Sequence, residues 1–163
     1  KVKLFTGPPS HKEDDAKVVH ELMNNADIRI VSGGTTSQIV ARELGVEVKS
    51  STEIYDKEVP PIAYIQGVDL VTEGVLTLSK TIDRLKSLSK SLDSDIFKAK
   101  DGASQMAKLL YSASHIKLLV GRSLNIANAE SSFQRDLELR LHVVGELEKI
   151  LVKLGKIVTV EYY

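Results

Sequence analysis

The residues best equipped for chemistry sit at turns that follow apolar runs. Gly33-Gly34-Thr35-Thr36 follows the run Ile28 to Val31 and precedes Ile39, Val40 and Leu44 at helical spacing, a pattern that Gly45 ends. Strand, glycine turn and helix start let the backbone approach a ligand closely. They also leave the first N–H groups of the helix pointing outward at the positive end of its dipole, which favours an anion such as phosphate or carboxylate. Tight strand–helix packing is the other use of the same glycines. Gly7-Pro8-Pro9 ends a second run, Val2 to Phe5. Between Gly67 and Gly74, Asp69, Thr72 and Glu73 lie among apolar residues. There they could read a ligand, hold a divalent cation or form an acid–base pair. Alternatively, Asp69 caps a turn and Glu73 stabilises the first turn of a helix. Gly121-Arg122-Ser123-Leu124-Asn125 follows His115 to Val120. Arg122 can clasp an anion bidentately or make a structural ion pair, and Asn125 can bond a hydroxyl or carbonyl. The candidate ligand-binding set is therefore Gly7, Pro8, Gly33, Gly34, Thr35, Thr36, Asp69, Thr72, Glu73, Gly74, Gly121, Arg122 and Asn125. No cofactor is expected beyond a divalent cation at Asp69 and Glu73, and no residue is assigned to catalysis.

Several chemistries are missing. The glycine turn lacks the lysine of a Walker A loop, and neither a Gly-x-Ser-x-Gly elbow nor a dinucleotide fingerprint occurs. His11, His20, His115 and His142 form no paired metal-ligand motif on one helix face. With no cysteine there are no disulfides, thiolate metal sites or cysteine nucleophile, which fits a reducing cytoplasm.

The elements that must position these turns alternate along the chain. Val2 to Phe5 reads as a strand, and Asp14 and Asp15 open a helix built on Val18, Val19, Leu22 and Met23. After the strand at 28–31 and the helix to Leu44, Val46-Glu47-Val48 alternates as a short strand should. The opening is thus β-α-β-α-β. Ser50 to Pro61 reads as a long polar connection, and the stretch from Asp69 to Gly74 as a turn. A helix follows from about Val75, carrying Leu76, Ile82, Leu85 and Leu88, and residues 89–100 read as a mobile, solvated connection. A helix at 101–113, a strand at 115–120, a long helix from about Phe133 to Leu154 and a last strand at Ile157 to Tyr162 complete the rhythm. This predicts one three-layer α/β domain, Rossmann-like, with a mainly parallel sheet between helices. In a parallel sheet, loops that follow strands share one edge, so the turns at 6–10, 32–37, 67–74 and 120–125 are expected to gather there.

The 163 residues suffice for a single domain with a sizeable core. Lys+Arg and Asp+Glu are both 22, a balance that argues against nucleic acid or an anionic membrane as partner. No apolar run approaches a membrane span. The missing initiator methionine suggests a fragment of a longer protein.

Taken together, the motifs have a family likeness. Thr-Gly-Pro-Pro at 6–9, Val-Ser-Gly-Gly-Thr-Thr-Ser-Gln-Ile-Val-Ala-Arg-Glu-Leu-Gly at 31–45 and Val-Pro-Pro-Ile at 59–62 form one part of it. Gly-Val-Asp-Leu-Val-Thr-Glu-Gly-Val-Leu-Thr-Leu at 67–78 and Leu-Val-Gly-Arg-Ser-Leu-Asn at 119–125 form the other. In this order they resemble the C-terminal region of stage II sporulation E-type (SpoIIE-family) serine phosphatases of anaerobes, where a phosphatase 2C-like catalytic domain precedes such a region. The separated aspartates that would hold two metals in that catalytic domain have no counterpart here. The resemblance therefore implies the non-catalytic companion region. A shorter similarity links Ser32-Gly33-Gly34-Thr35-Thr36 to the phosphate loop of DeoR-type sugar-phosphate sensors.

The resulting expectation is a cytoplasmic regulatory domain that binds a small phosphate-containing anion. Its expected partner is a phosphatase catalytic domain, in cis or in trans, with homo-oligomerisation open and neither nucleic acid nor membrane involved. Two other classes remain: an enzyme acting on a phosphorylated small molecule or nucleotide through Asp69 and Glu73, and an interaction domain without a ligand.

Overall fold

A computed structural model describes residues 1–91, 94–124 and 130–163. Seven strands form one sheet: β1 (Val2–Thr6), β2 (Ile28–Ser32), β3 (Lys49–Ser50), β4 (Ala63–Tyr64), β5 (Leu70–Thr72), β6 (His115–Val120) and β7 (Ile157–Tyr162). Their order across the sheet is β3-β4-β5-β2-β1-β6-β7. β5, β2, β1, β6 and β7 run parallel, and β4 is antiparallel to both β3 and β5. The helices are α1 (Asp15–Met23), α2 (Gly34–Leu44), α3 (Val75–Lys90), α4 (Ser94–Lys98), α5 (Gly102–Tyr111) and α6 (Glu130–Lys153). Among the described residues no helix is long and apolar enough to cross a membrane.

Alternation along the strands builds the three layers, because successive side chains point to opposite faces. Leu4, Ile30, Leu70 and Leu118 face one way and pack with α3, α5 and α6, through Leu78, Leu85, Met106 and Leu147 among others. Phe5, Val31, Val71 and Leu119 face the other way, onto Val18 and Leu22 of α1 and Ile39 and Val40 of α2. The expected three-layer α/β domain with a mainly parallel sheet is thus the observed fold.

Local structure departs from the sequence reading in four places. Val46-Glu47-Val48 is not a strand. The N–H groups of Gly45 and Val46 fold back onto the end of α2, and the short pairing begins only at Lys49. Within the stretch read as a turn, Leu70–Thr72 forms a buried strand against β2, at three residues too short for period-two alternation to announce itself. The connection read over 89–100 contains the end of α3 and the helix α4. Ile96 of α4 joins the core, and the Phe97 ring meets Tyr111 edge-on at 5.7 Å. Finally, α6 starts at Glu130, before the expected Phe133.

Candidate anion-binding cleft

The parallel neighbours β2 and β5 send their helices to opposite faces, α2 with the α1 layer and α3 with the α6 layer. Where connections diverge in this way the carboxyl ends of the strands open a crevice, the usual ligand position in α/β sheets. A hollow of about 150 Å³ lies there, lined by residues 6–8, 32–36, 74–75 and Arg140. Larger hollows lie away from the strand-end turns, one of them beside α1 and β7, but they lack this convergence of glycine loops.

Hydroxyl and amide hydrogen bonds fasten the loops to one another. Thr6 Oγ1 donates to the Ser32 carbonyl at 2.9 Å, and Ser32 Oγ donates to the Glu73 carbonyl at 2.8 Å. Thr72 Oγ1 donates to that same carbonyl at 2.8 Å, and the Gly33 N–H donates to the Thr72 carbonyl at 2.9 Å. The Gly7 N–H donates to Thr36 Oγ1 at 3.0 Å, which tethers the first loop to the first turn of α2. Thr36 is buried and its hydroxyl is committed to this tether, whereas Gly34 and Thr35 are exposed. Gly33 has a φ of +126°, and a Cβ there would stand 2.9 Å from Thr36 Oγ1. Glycine is therefore required at this N-cap, and it provides no side chain to satisfy the helix end. The N–H groups of Gly34, Thr35 and Thr36 are those an α-helix leaves without intrahelical partners.

Arg140 reaches the hollow from α6. Its Nη1 donates to the Gly121 carbonyl at 3.0 Å, and its Cδ lies 2.8 Å from where a Gly7 Cβ would be. Burial lowers its pKa from the ordinary arginine value, while Asp136 one turn earlier on α6 acts in the opposite sense. The guanidinium stays charged at any physiological pH. Among the described residues none of the ion pairs involves Arg140. A half-buried cation faces a helix N-terminus across a small hollow, so the local field favours an anion.

The structure distributes the candidate residues unevenly. Gly7, Pro8, Gly33, Gly34, Thr35, Thr36 and Gly74 line the hollow. Gly121 lies just behind it, packed on the Gly7–Pro8 backbone. Thr72 is buried in the loop-fastening network, and with Glu73 it borders an adjoining depression of about 200 Å³ that also touches Gly34. The Glu73 carboxylate accepts from the N–H and hydroxyl of Thr77, both at 3.2 Å, and so serves the first turn of α3. Asp69 precedes β5 at the amino end of the strand, where Oδ2 accepts the Arg29 N–H at 2.7 Å. Four residue steps along extended chain place Asp69 and Glu73 roughly 13 Å apart, so the two carboxylates do not form a pair. Among the described residues no group of three His, Cys, Asp or Glu side chains could hold a metal ion. Arg122 is exposed and lies over the Tyr162 ring at 5.6 Å, outside the hollow. Asp69 and Arg122 thus lie at opposite ends of the sheet, which corrects their expected gathering in one site. Asn125 lies outside the described residues.

Arg140 was missed by the sequence reading, although a signal was present. It falls three, four and seven residues before Val143, Val144 and Leu147, on the stripe of α6 that faces the core. A charge on an otherwise apolar stripe marks a position with a polar partner or role. No protein-family model, curated protein or solved structure matches this chain.

Proposed function

We propose that the chain is a regulatory, ligand-binding domain that holds a small phosphate-containing anion in the cleft between 6–8, 32–36 and Arg140. One observation carries this reading. The free amides of the first turn of α2 and a half-buried guanidinium converge on one small hollow at a reversal of the sheet connections. The Glu73 carboxylate is turned to α3, so it does not neutralise the guanidinium. The exposed Thr35 hydroxyl adds a donor at the rim, and Arg140 provides the charge and a planar donor face. The partner proposed with this reading is a phosphatase catalytic domain of the stage II sporulation E type, on the strength of the motif order at 6–9, 31–45, 59–62, 67–78 and 119–125. A reducing cytoplasm is the proposed setting, and the absence of cysteine agrees with it.

The test is a thermal-shift series with inorganic phosphate, sugar phosphates and nucleoside phosphates. A ligand that binds only the folded chain at a hundred times its Kd stabilises it by about 2.7 kcal/mol. At least one phosphate compound should raise Tm in wild type, less in Thr35→Ala and not at all in Arg140→Ala. No shift with any of them, or equal shifts in wild type and Arg140→Ala, would remove the proposal.

A further inference from the structure

The two edges of the sheet are built differently. β3 closes one edge with two residues, one of them Lys49, a short charged edge of the kind that discourages further pairing. β7 forms the other with six residues, Ile-Val-Thr-Val-Glu-Tyr, free of proline and lysine and rich in strand-forming side chains. Its neighbour β6 takes the N–H of Ile157 onto the Ser114 carbonyl and that of Tyr163 onto the Val120 carbonyl. In a parallel ladder the intervening residues alternate, so Thr159 and Glu161 also point inward, while Val158, Val160 and Tyr162 direct both backbone groups outward. Among the described residues no backbone hydrogen bond reaches those outward groups. Ile157 and Tyr162 on the strand and Val152 on the last turns of α6 just before it are exposed.

The outward set is symmetric about its middle member. A two-fold axis at Val160, perpendicular to the sheet, would place Val160 opposite its copy and Val158 opposite Tyr162, and all three outward residues would exchange hydrogen bonds in both directions. On the α6 face the side-chain pairs would be Val158 with Tyr162 and Val160 with Val160, combinations of aromatic and β-branched residues that stabilise antiparallel pairs. On the other face Glu161 would oppose Thr159, so no like charges meet.

We propose that β7 is a dimerisation edge, pairing antiparallel with β7 of a second copy of this chain across a two-fold axis at Val160. The sheet becomes continuous through both copies, and the two anion clefts open at opposite ends of the joint sheet. This inference does not depend on what the cleft binds.

The chain contains no cysteine, so single introduced cysteines report the register directly. In sedimentation at micromolar to about 100 μM, a range that spans weak specific association, wild type should dimerise. Under mild oxidation Val160→Cys should cross-link to itself. Val158→Cys and Tyr162→Cys should each do so poorly, because their copies stand roughly 13 Å apart. A mixture of those two variants should cross-link efficiently. Val160→Lys sets like charges face to face and should give a monomer with unchanged circular dichroism. A wild-type chain that stays monomeric throughout the range would overturn the proposal. So would a dimer in which Val160→Cys cross-links no faster than Val158→Cys.

Discussion

Gly121 shows how closely the cleft is built at the level of single residues. A Cβ on it would meet the Gly7 carbonyl oxygen at 2.0 Å and the Pro8 carbonyl oxygen at 2.1 Å. Both are backbone atoms, held by the Gly121 N–H on the Thr6 carbonyl and the Ser123 N–H on the Pro8 carbonyl. Gly121→Ala must therefore displace the loop that forms one wall of the hollow. A loss of about 3 kcal/mol is expected from such overpacking, measured by urea denaturation. Arg140 behaves in the opposite way. It makes one hydrogen bond to the body of the protein and no ion pair among the described residues. Arg140→Ala should cost no more than about 1 kcal/mol of stability in the absence of ligand, while abolishing stabilisation by phosphate compounds. Arg140→Lys should retain part of that stabilisation, since a lysine keeps the charge but not the planar fork. If phosphate stabilises both variants as much as it does wild type, the guanidinium is not the recognition group.

At the scale of elements, α5, α3 and α2 solve their N-termini differently. α5, on the same face as α3, has Asp101 as an N-cap, with Oδ2 accepting the Ser104 N–H at 2.9 Å. α3 has Gly74 as N-cap and borrows the Glu73 carboxylate. α2 has Gly33 and no side-chain cap. Glu73→Ala should weaken α3 and cost about 1 kcal/mol, as a fall in the urea midpoint at unchanged slope. It should leave phosphate binding in place. Loss of phosphate binding in that variant would mean that Glu73 is a ligand-reading residue after all. The same comparison explains what was legible in the sequence. The turn after β2 could be read because an apolar run, two glycines and a helical pattern lie next to each other. The role of Glu73 on α3 is one of the two readings that its position among apolar residues before a helix allows. The ends of β5 were hidden, because three residues carry no period, and so Asp69 and Glu73 looked like neighbours. Arg140 was hidden for another reason. It lies 104 residues after Thr36 in sequence, and only the packing of α6 over the sheet brings it to the loop.

Across the whole molecule, the α1 face of the sheet carries a charge network that ties four elements together. Lys3 of β1 is nearly fully buried and donates to Glu21 Oε1 of α1 at 3.0 Å. Lys117 of β6 bridges Glu21 at 2.7 Å and Glu161 of β7 at 2.6 Å. Hydrogen bonds from Lys117 and then Lys3 hold Glu21 below its ordinary 4.5, and those from Lys117 and then Tyr163 do the same for Glu161. Hydrogen bonds to Glu161 and then Glu21 hold Lys117 above its ordinary 10.5. The carboxylates are stabilising above their unfolded pKa, and that contribution is lost as pH falls below about 4.5 through the folded values. The raised lysine is stabilising below its unfolded pKa, and its share is lost as pH climbs past about 10.5. Stability measured by urea denaturation should therefore hold a plateau between these limits. Glu21→Gln should flatten the acid limb and lower the plateau, because Lys3 would be left buried with a neutral partner. The cleft lies at the carboxyl edge, beyond this network, and the hydrogen bonds that fasten its loops to one another are the basis for treating it as a preformed site. The most direct test of the account is a ¹H–¹⁵N correlation spectrum of the labelled chain titrated with inorganic phosphate and phosphate esters. Saturable shifts confined to the amides of Gly7, Gly34, Thr35 and Thr36 and to the Arg140 side chain, absent in Arg140→Ala, are the predicted result. Shifts centred on the lysines of α3 and α6, or no saturable shift at the α2 amides, would contradict it.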